Sequence, residues 1–257
     1  MIDLWLRSGF LGIVVLPFIL LYGIAAAIVW LTQLSPLRPF FVSCIGITGP
    51  FFASVAVLFS LFAAFLANDV QRRAGEAQAA VLREADGIRT ILRLSEALGA
   101  TGAPLKAAVV DYGQSVLDKE WPKMRSEGKP VEDLQAFRDL TLAVMAPDLT
   151  AAAPPAAHQA ILAGLVEIRQ ARRERFSLFA RESDPVNWLG MLILGVATQF
   201  AIAVVQLDRL RPQALALFVF TTAFAATAVL VGLAERPFMG KHIPDAPLRS
   251  AIASANS

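Results

Sequence analysis

The sequence predicts an all-α membrane fold: four transmembrane helices, with a cytoplasmic helical bundle between the second and the third. Three observations predict it. Four apolar segments (Phe10–Thr32, Phe40–Ala67, Val186–Leu207 and Gln213–Ala234) form two pairs. Each matches the roughly 20 helical residues that a hydrocarbon core requires. The charged stretch 68–185 separates the pairs, and its apolar residues recur with a period near 3.6, never with the period of two that marks a strand.

The elements follow in order. Span 1 has Arg7 before it and small residues at Ala25-Ala26-Ala27, as a secretory signal does. Its apolar run, however, continues through Ile28-Val29-Trp30, past the roughly 7–15 residues of a signal core, so it reads as a retained span. Span 2 is interrupted near its outer end by Gly46-Ile47-Thr48-Gly49-Pro50. Proline suits the first helical turn, where its missing N–H has no partner to lose, and Thr48 is placed to help cap it. A firm helix should therefore begin near Phe51. Nothing stops it at Ala67, and Ala77, Val81, Ile88, Ile91, Leu92 and Leu98 carry a helical stripe onward until Gly99 and Gly102.

A second helix of the middle region runs from Pro104 to about Met124, with Leu105, Val109, Tyr112, Val116 and Trp121 on its apolar face, and Gly128-Lys129-Pro130 breaks it. A third covers about Val131–Met145, a loop runs from Pro147 to Pro155, and a fourth helix covers Ala156–Glu182 with Ile161, Leu165, Ile168, Phe176 and Phe179 facing inward. Asp184-Pro185 then reads as an N-cap and first-turn proline that launch span 3. The expected divisions are 1–67 (first membrane pair), 68–185 (cytoplasmic helices), 186–235 (second membrane pair) and 236–257 (cytoplasmic tail).

Composition narrows the function. Only 17% of residues are charged, against about 25% in soluble proteins, and none falls within the four spans. A net charge of +2 offers nucleic acid no binding surface. One cysteine, Cys44, excludes an intramolecular disulfide and reads as a small buried apolar residue. With only His158 and His242 beside it, no metal site or cofactor is expected. Phosphate-binding glycine loops, His-Glu-x-x-His and Gly-x-Ser-x-Gly are absent, so no catalytic residue is assigned and the chain does not read as an enzyme. The absence of an ionisable residue mid-span argues against a proton-coupled pump.

Arg38, Arg209 and Arg211 are the only three of the 23 Lys and Arg in the short loops Gln33–Pro39 and Asp208–Pro212. The rest lie on the side of the termini and the middle region, among them Arg72, Arg73, Arg169, Arg172, Arg173, Arg175 and Arg181 close to the spans. Positive charge at span ends prefers the cytoplasm, which places both termini and the middle region inside an inner or plasma membrane crossed four times. The alternation of Arg with carboxylates in the middle helices reads as a solvated face, and the cluster Arg169, Arg172, Arg173, Arg175 and Arg181 either as topology-setting charge or as a surface for anionic lipid heads.

Span 2 carries a small-residue stripe (Ala53, Ala56, Val57, Ser60, Ala64, Ala67) and a bulky one (Phe51, Val55, Leu58, Phe62, Phe65). One reading packs the small stripe on neighbouring helices. The other lines a pore around an oligomer axis, with Pro50, Ala53, Ser54, Val57, Ser60 and Leu61 as its wall. A helix that begins within the membrane would point free N–H groups and its positive dipole end at the entrance, drawing anions without a buried Lys or Arg.

Three stretches carry a family resemblance: Ala67-Asn68-Asp69-Val70-Gln71-Arg72-Arg73-Ala74-Gly75-Glu76-Ala77 after span 2, Tyr112 with Glu120-Trp121-Pro122, and Glu235-Arg236-Pro237-Phe238-Met239-Gly240 after span 4. Together they resemble the bestrophin-like family of bacterial membrane proteins of unknown function, over roughly Phe40–Arg249. That family is similar in layout to true bestrophins, pentameric anion channels whose second span lines the neck. The resemblance implies a homo-oligomer, a pentamer by analogy, in a lipid bilayer and permeable to inorganic anions such as chloride. Pro50 resembles the proline that opens the neck helix. Ala53 and Val57 stand where the neck carries aromatics, and the usual exit aromatics are replaced around Gln71 and Ala74. Glu235 and Arg236 are placed to pair with Arg73 or Glu76 and tie the two membrane pairs together. The alternative from another class is a non-conducting membrane scaffold or sensor whose cytoplasmic helices bind a partner.

Overall fold

The computed structural model describes Trp5 and residues 9–43, 49–126, 135–180, 185–235 and 243–253. Among the described residues the regular elements are all helical. In chain order they are α1 (Gly9–Val29), extended by a π-helical turn (Trp30–Leu34); α2 (Arg38–Ser43); α3 (Gly49–Ala97); a 3-10 turn (Gly99–Gly102); α4 (Ala103–Ser115); a second π-helical turn (Val116–Glu120); α5 (Trp121–Ser126); α6 (Gln135–Val144); α7 (Pro147–Ala152); α8 (Pro155–Ala180); α9 (Pro185–Val205); α10 (Leu210–Ala234); and α11 (Ala246–Ala253).

Four of these stretches are long and apolar enough to cross a membrane: Leu11–Leu34, Ala53–Ala97, Val186–Val205 and Leu210–Ala234. The expected run of span 2 through Ala67 without a stop is present as the 49-residue helix α3. Pro50 is its second residue, and Pro185 is the first of α9, as first-turn prolines. Gly99, with φ +60°, ends α3 in the left-handed conformation that glycine adopts without strain. The expected caps Thr48 and Asp184, and Cys44, lie outside the described residues. The stretch expected as a loop from Pro147 to Pro155 instead contains α7. Pro147 opens that short helix and Asp148 lies in its first turn, where a negative charge meets the positive dipole end.

The chain folds as two compact units. The first comprises residues 1–71 and 182–235. Its core gathers Leu21 of α1, Phe59, Ala63, Leu66 and Val70 of α3, Trp188 and Met191 of α9, and Phe224, Ala225, Ala228 and Val231 of α10. Phe59 meets the Phe224 ring edge-on at 5.0 Å. The buried stripe of α3 is therefore neither of the two expected from sequence. Of the small stripe, Ala67 packs against this core and Ala56 is half-buried, while Ala53, Val57, Ser60 and Ala64 are exposed on the chain; Phe62 of the bulky stripe also packs against the core.

Neutral polar groups tie the helices of this unit together. The Gln199 amide donates to the Thr221 hydroxyl at 2.8 Å and to the Leu21 carbonyl at 3.3 Å. Gln213 donates to the Ala203 carbonyl and to Thr32, while Gln33 donates to Gln213 Oε1 and to the Leu207 carbonyl. Thr198 and Thr222 bond back to carbonyls one turn earlier in their own helices. Those are the roles such side chains have in membrane helices.

The second unit comprises residues 72–181 and 236–257. Its core holds the expected stripes: Ala77, Val81, Ile88, Ile91 and Leu92 of α3, Leu105, Val109 and Tyr112 of α4, Val116 of the π turn, Trp121 of α5, and Ile161, Leu165 and Ile168 of α8. Helices α3 and α8 touch backbone to backbone, since a Cβ on Gly87 would stand 2.7 Å from Ile168 Cγ1 and 3.0 Å from the Gly164 carbonyl oxygen. Within the terminal stretch, α11 buries Leu248 and Ala251 in the same core and Ile252 against Gly113 of α4, and Arg89 bonds Ser250 Oγ at 2.7 Å.

Candidate functional site

The helical period arranges the residues expected to line a pore. With Phe59, Ala63, Leu66 and Val70 turned into the core, residues at the intervening three- and four-residue steps project the other way. Ala53, Ser54, Val57, Ser60 and Leu61 are all exposed on the isolated chain, Val57 at 64% and Leu61 at 50%. They share this outward face with Ala64, Phe65 and Asn68. Pro50 lies in the first turn of the same helix, and its side chain is outside the described residues.

The exposed face of α3 differs from the exposed faces of the other spans. Those carry Leu11, Val15, Leu16, Ile19 and Leu20 on α1, Val186, Leu189 and Ile193 on α9, and Leu215, Phe218, Val219 and Leu230 on α10, together with small residues at Gly23, Ala26, Ala27, Ala197, Ala214 and Ala223. Large apolar side chains of that kind match lipid. The α3 face interleaves Ala53, Ser54, Ser60, Ala64 and Asn68 with Val57, Leu58, Leu61 and Phe65.

A second constellation lies in the other unit and was not foreseen. Arg175, Glu84, Glu120 and Tyr112 are each wholly buried. Arg175 donates from Nε to Glu84 Oε2 at 2.9 Å and from Nη2 to Glu84 Oε1 at 3.1 Å and Glu120 Oε2 at 2.7 Å. Its Nη1 faces Met124 Sδ at 3.1 Å. The Tyr112 hydroxyl donates to Glu84 Oε1 at 2.5 Å. Arg172 donates from Nε and Nη2 to Glu120 Oε1 and stacks on the Phe176 ring with its guanidinium carbon 4.7 Å from the centroid. Two cations thus meet two carboxylates with no net charge. The π turn Val116–Glu120 sets this geometry, because its wider winding carries Glu120 and Trp121 around the helix toward α8.

Burial pulls the Arg175 guanidinium down, but Glu84 and Glu120 outweigh it and hold it above the ordinary arginine range. Burial, and then Glu84 and Glu120, push the Tyr112 hydroxyl well above its usual value, so it remains a donor. Every member is paired and all but Arg172 are closed to water, so the cluster holds helices together and offers no open acid, base or nucleophile. This corrects the reading of a solvated, topology-setting run at two positions: Arg175 is fully buried and Arg172 nearly so, while Arg169 and Arg173 are exposed and Arg181 lies outside the described residues. Tyr112, Glu120 and Trp121 were singled out only as a family motif.

Of the residues expected to form an ion-pair tie, Glu76 bonds Arg72 one turn away at 2.6 Å on α3. Arg73 is half-buried on the same helix, Glu235 is buried just after α10, and Arg236 lies outside the described residues.

The bestrophin-like domain model matches residues 19–242. Among solved structures, a point mutant of a bacterial bestrophin homologue from Klebsiella pneumoniae superposes with a TM-score of 0.70 at 13% identity, covering 94% of this chain and 97% of that one. The zinc-phased structure of a bacterial bestrophin homologue from the same organism gives 0.67 at 14% identity, covering 94% and 95%. Identities this low establish a shared fold. None of the curated proteins matches the chain.

Proposed function

This chain belongs to the bestrophin-like family, and from that premise we propose that it is a passive, anion-permeable, homo-oligomeric membrane channel whose wall is the exposed face of α3. One observation carries the reading. A helix face that sets the exposed polar side chains Ser54, Ser60 and Asn68 among small and apolar ones suits neither lipid alone nor the core of its own unit, whereas the described exposed side chains of α1, of α9 and, from Gln213 on, of α10 are all apolar. Copies arranged around an axis would give that face a common water-filled lumen. Pro50, Ala53, Ser54, Val57, Ser60 and Leu61 line it in this reading. The start of α3 at Gly49 would set the positive end of a helix dipole at its mouth, which favours anions. Apolar Val57 and Leu61 supply the rings that gate such pores by dewetting. The membrane is crossed four times, with both termini and residues 72–181 on the cytoplasmic side, in keeping with the concentration of Lys and Arg there. A pentamer follows from the family analogy.

The test combines native mass spectrometry of the detergent-solubilised protein with planar-bilayer recording under a potassium chloride gradient. A ring-sized oligomer with a reversal potential near that of chloride is the expected result. A monomer, or an oligomer that passes no anion, overturns the channel and favours a non-conducting scaffold.

A further inference from the structure

We propose that Asn68 is the selectivity-determining residue of the α3 face, supplying amide N–H donors to a partly dehydrated inorganic anion at the inner end of the wall; this rests on the channel reading above. Between Ala53 and Val70, the exposed polar side chains are Ser54, Ser60 and Asn68. Ser60 donates its hydroxyl proton to the Ala56 carbonyl at 2.8 Å, so it has no donor to spare for a passing ion. Ser54 also has a partner. Asn68 makes no hydrogen bond among the described residues, as Gln71, Asn187 and Gln206 of the same unit make none, whereas Gln33, Gln199 and Gln213 are engaged.

Its position matters as much as its freedom. Asn68 follows Val57, Leu61 and Ala64 at steps of four, three and four residues, which places it directly below them on the face that points away from Phe59, Ala63 and Leu66. An ion that has passed the apolar rungs meets it first. Asn68 is the first residue past the apolar run of span 2, and its carboxamide brings two N–H donors and an acceptor to that end of the exposed face. In a lumen the same groups replace water around an ion. A neutral amide also suits a conducting site better than Lys or Arg, because a site that holds an ion too strongly does not release it.

The test uses the full chain reconstituted in planar bilayers, with Asn68→Leu and Asn68→Asp, and potassium chloride as the probe. Losing a hydrogen bond to a charged group predicts about a tenfold fall in chloride conductance for Asn68→Leu. Asn68→Asp moves the reversal potential toward potassium. A conducting wild type whose conductance and reversal potential neither variant changes overturns the role of Asn68 and leaves the channel standing. A wild type that passes no ion overturns the channel, and the role of Asn68 with it. A second measurement needs no current: Asn68→Cys, with Cys44→Ser to remove the single native cysteine, is exposed to a charged, membrane-impermeant thiol reagent. Modification is expected. An unreactive cysteine in a protein of native oligomeric size shows that the position faces lipid or a neighbouring copy, and overturns the proposal.

Discussion

The two units register their helices with different polar chemistry. The first, which contains the four apolar spans, uses neutral amides and hydroxyls: Gln199 on Thr221 and Leu21, Gln213 on Thr32 and Ala203. The second buries Arg175, Glu84 and Glu120 outright. Both devices fix register, since either is satisfied in only one alignment of its helices. They differ in what a mistake costs. A lost amide bond leaves a dipole, which another hydroxyl or carbonyl can meet. A lost ion partner leaves a bare charge in a medium that solvates it poorly. The ionic device is therefore the more exacting, and it lies in the unit that holds most of the chain's charged residues.

The sharpest way to break that contrast is Arg175→Met. It leaves Glu84 without a cation and Glu120 with Arg172 alone, so the second unit should lose about 3–5 kcal/mol. Chemical unfolding of the full chain in detergent measures this. Adding Glu84→Gln should recover most of the loss, because the surplus charge is then gone while Tyr112 keeps a partner at position 84. A single variant as stable as wild type would show that ionic pairing contributes nothing to this cluster.

Sequence made the helices legible and hid the cluster, for one physical reason. Spans and stripes are signals of composition and period, and they were readable at Ile161, Leu165 and Ile168 on α8 or at Ala77 and Val81 on α3. Continued at the same spacing, the first stripe runs into Arg172 and Arg175, and the second passes through Glu84 before Ile88. Ionisable residues in register with an apolar stripe are the signal that was available. It went unread because the partners are distant in sequence, Glu84 and Arg175 being 91 residues apart. The π turn that delivers Glu120 leaves no mark in the residue pattern at all. On the α3 face the period separated inward from outward residues, yet the inward set was Phe59, Ala63 and Leu66, between the two stripes singled out. Period defines the faces of a helix; which face turns inward depends on neighbours such as Phe224.

The amide device gives a smaller effect. Gln199→Leu removes the bonds to Thr221 and to the Leu21 carbonyl, yet it also removes a buried Oε1 that has no partner. The two changes oppose each other. A loss of about 0.6 kcal/mol is expected, and no more than about 1.7. It is read from the sodium dodecyl sulfate concentration that half-unfolds the protein in mixed micelles. A loss comparable with that of Arg175→Met would erase the distinction between the units and give Gln199 a larger role than its hydrogen bonds explain.

The smallest effect is expected where charge pairing is exposed, at Asp245 ahead of α11. Arg249 donates to Asp245 Oδ2 from Nε at 3.0 Å and from Nη2 at 2.9 Å. This pair, opposed slightly by burial, holds the carboxyl below the usual carboxylate range. A lowered folded value means that the stabilisation is complete at neutral pH and is lost as pH falls through the folded value. Exposed pairs one helical turn apart contribute only about 0.3–0.5 kcal/mol. Leu248, Ile252 and the Arg89–Ser250 bond hold α11 at any protonation state of Asp245. Hydrogen exchange at the α11 amides, compared between wild type and Asp245→Asn, should therefore differ slightly at neutral pH and converge in acid below the folded value. Detachment of α11 on acidification in wild type but not in the variant would show that an exposed pair governs docking, and that burial is not what separates strong from weak ion pairs in this chain.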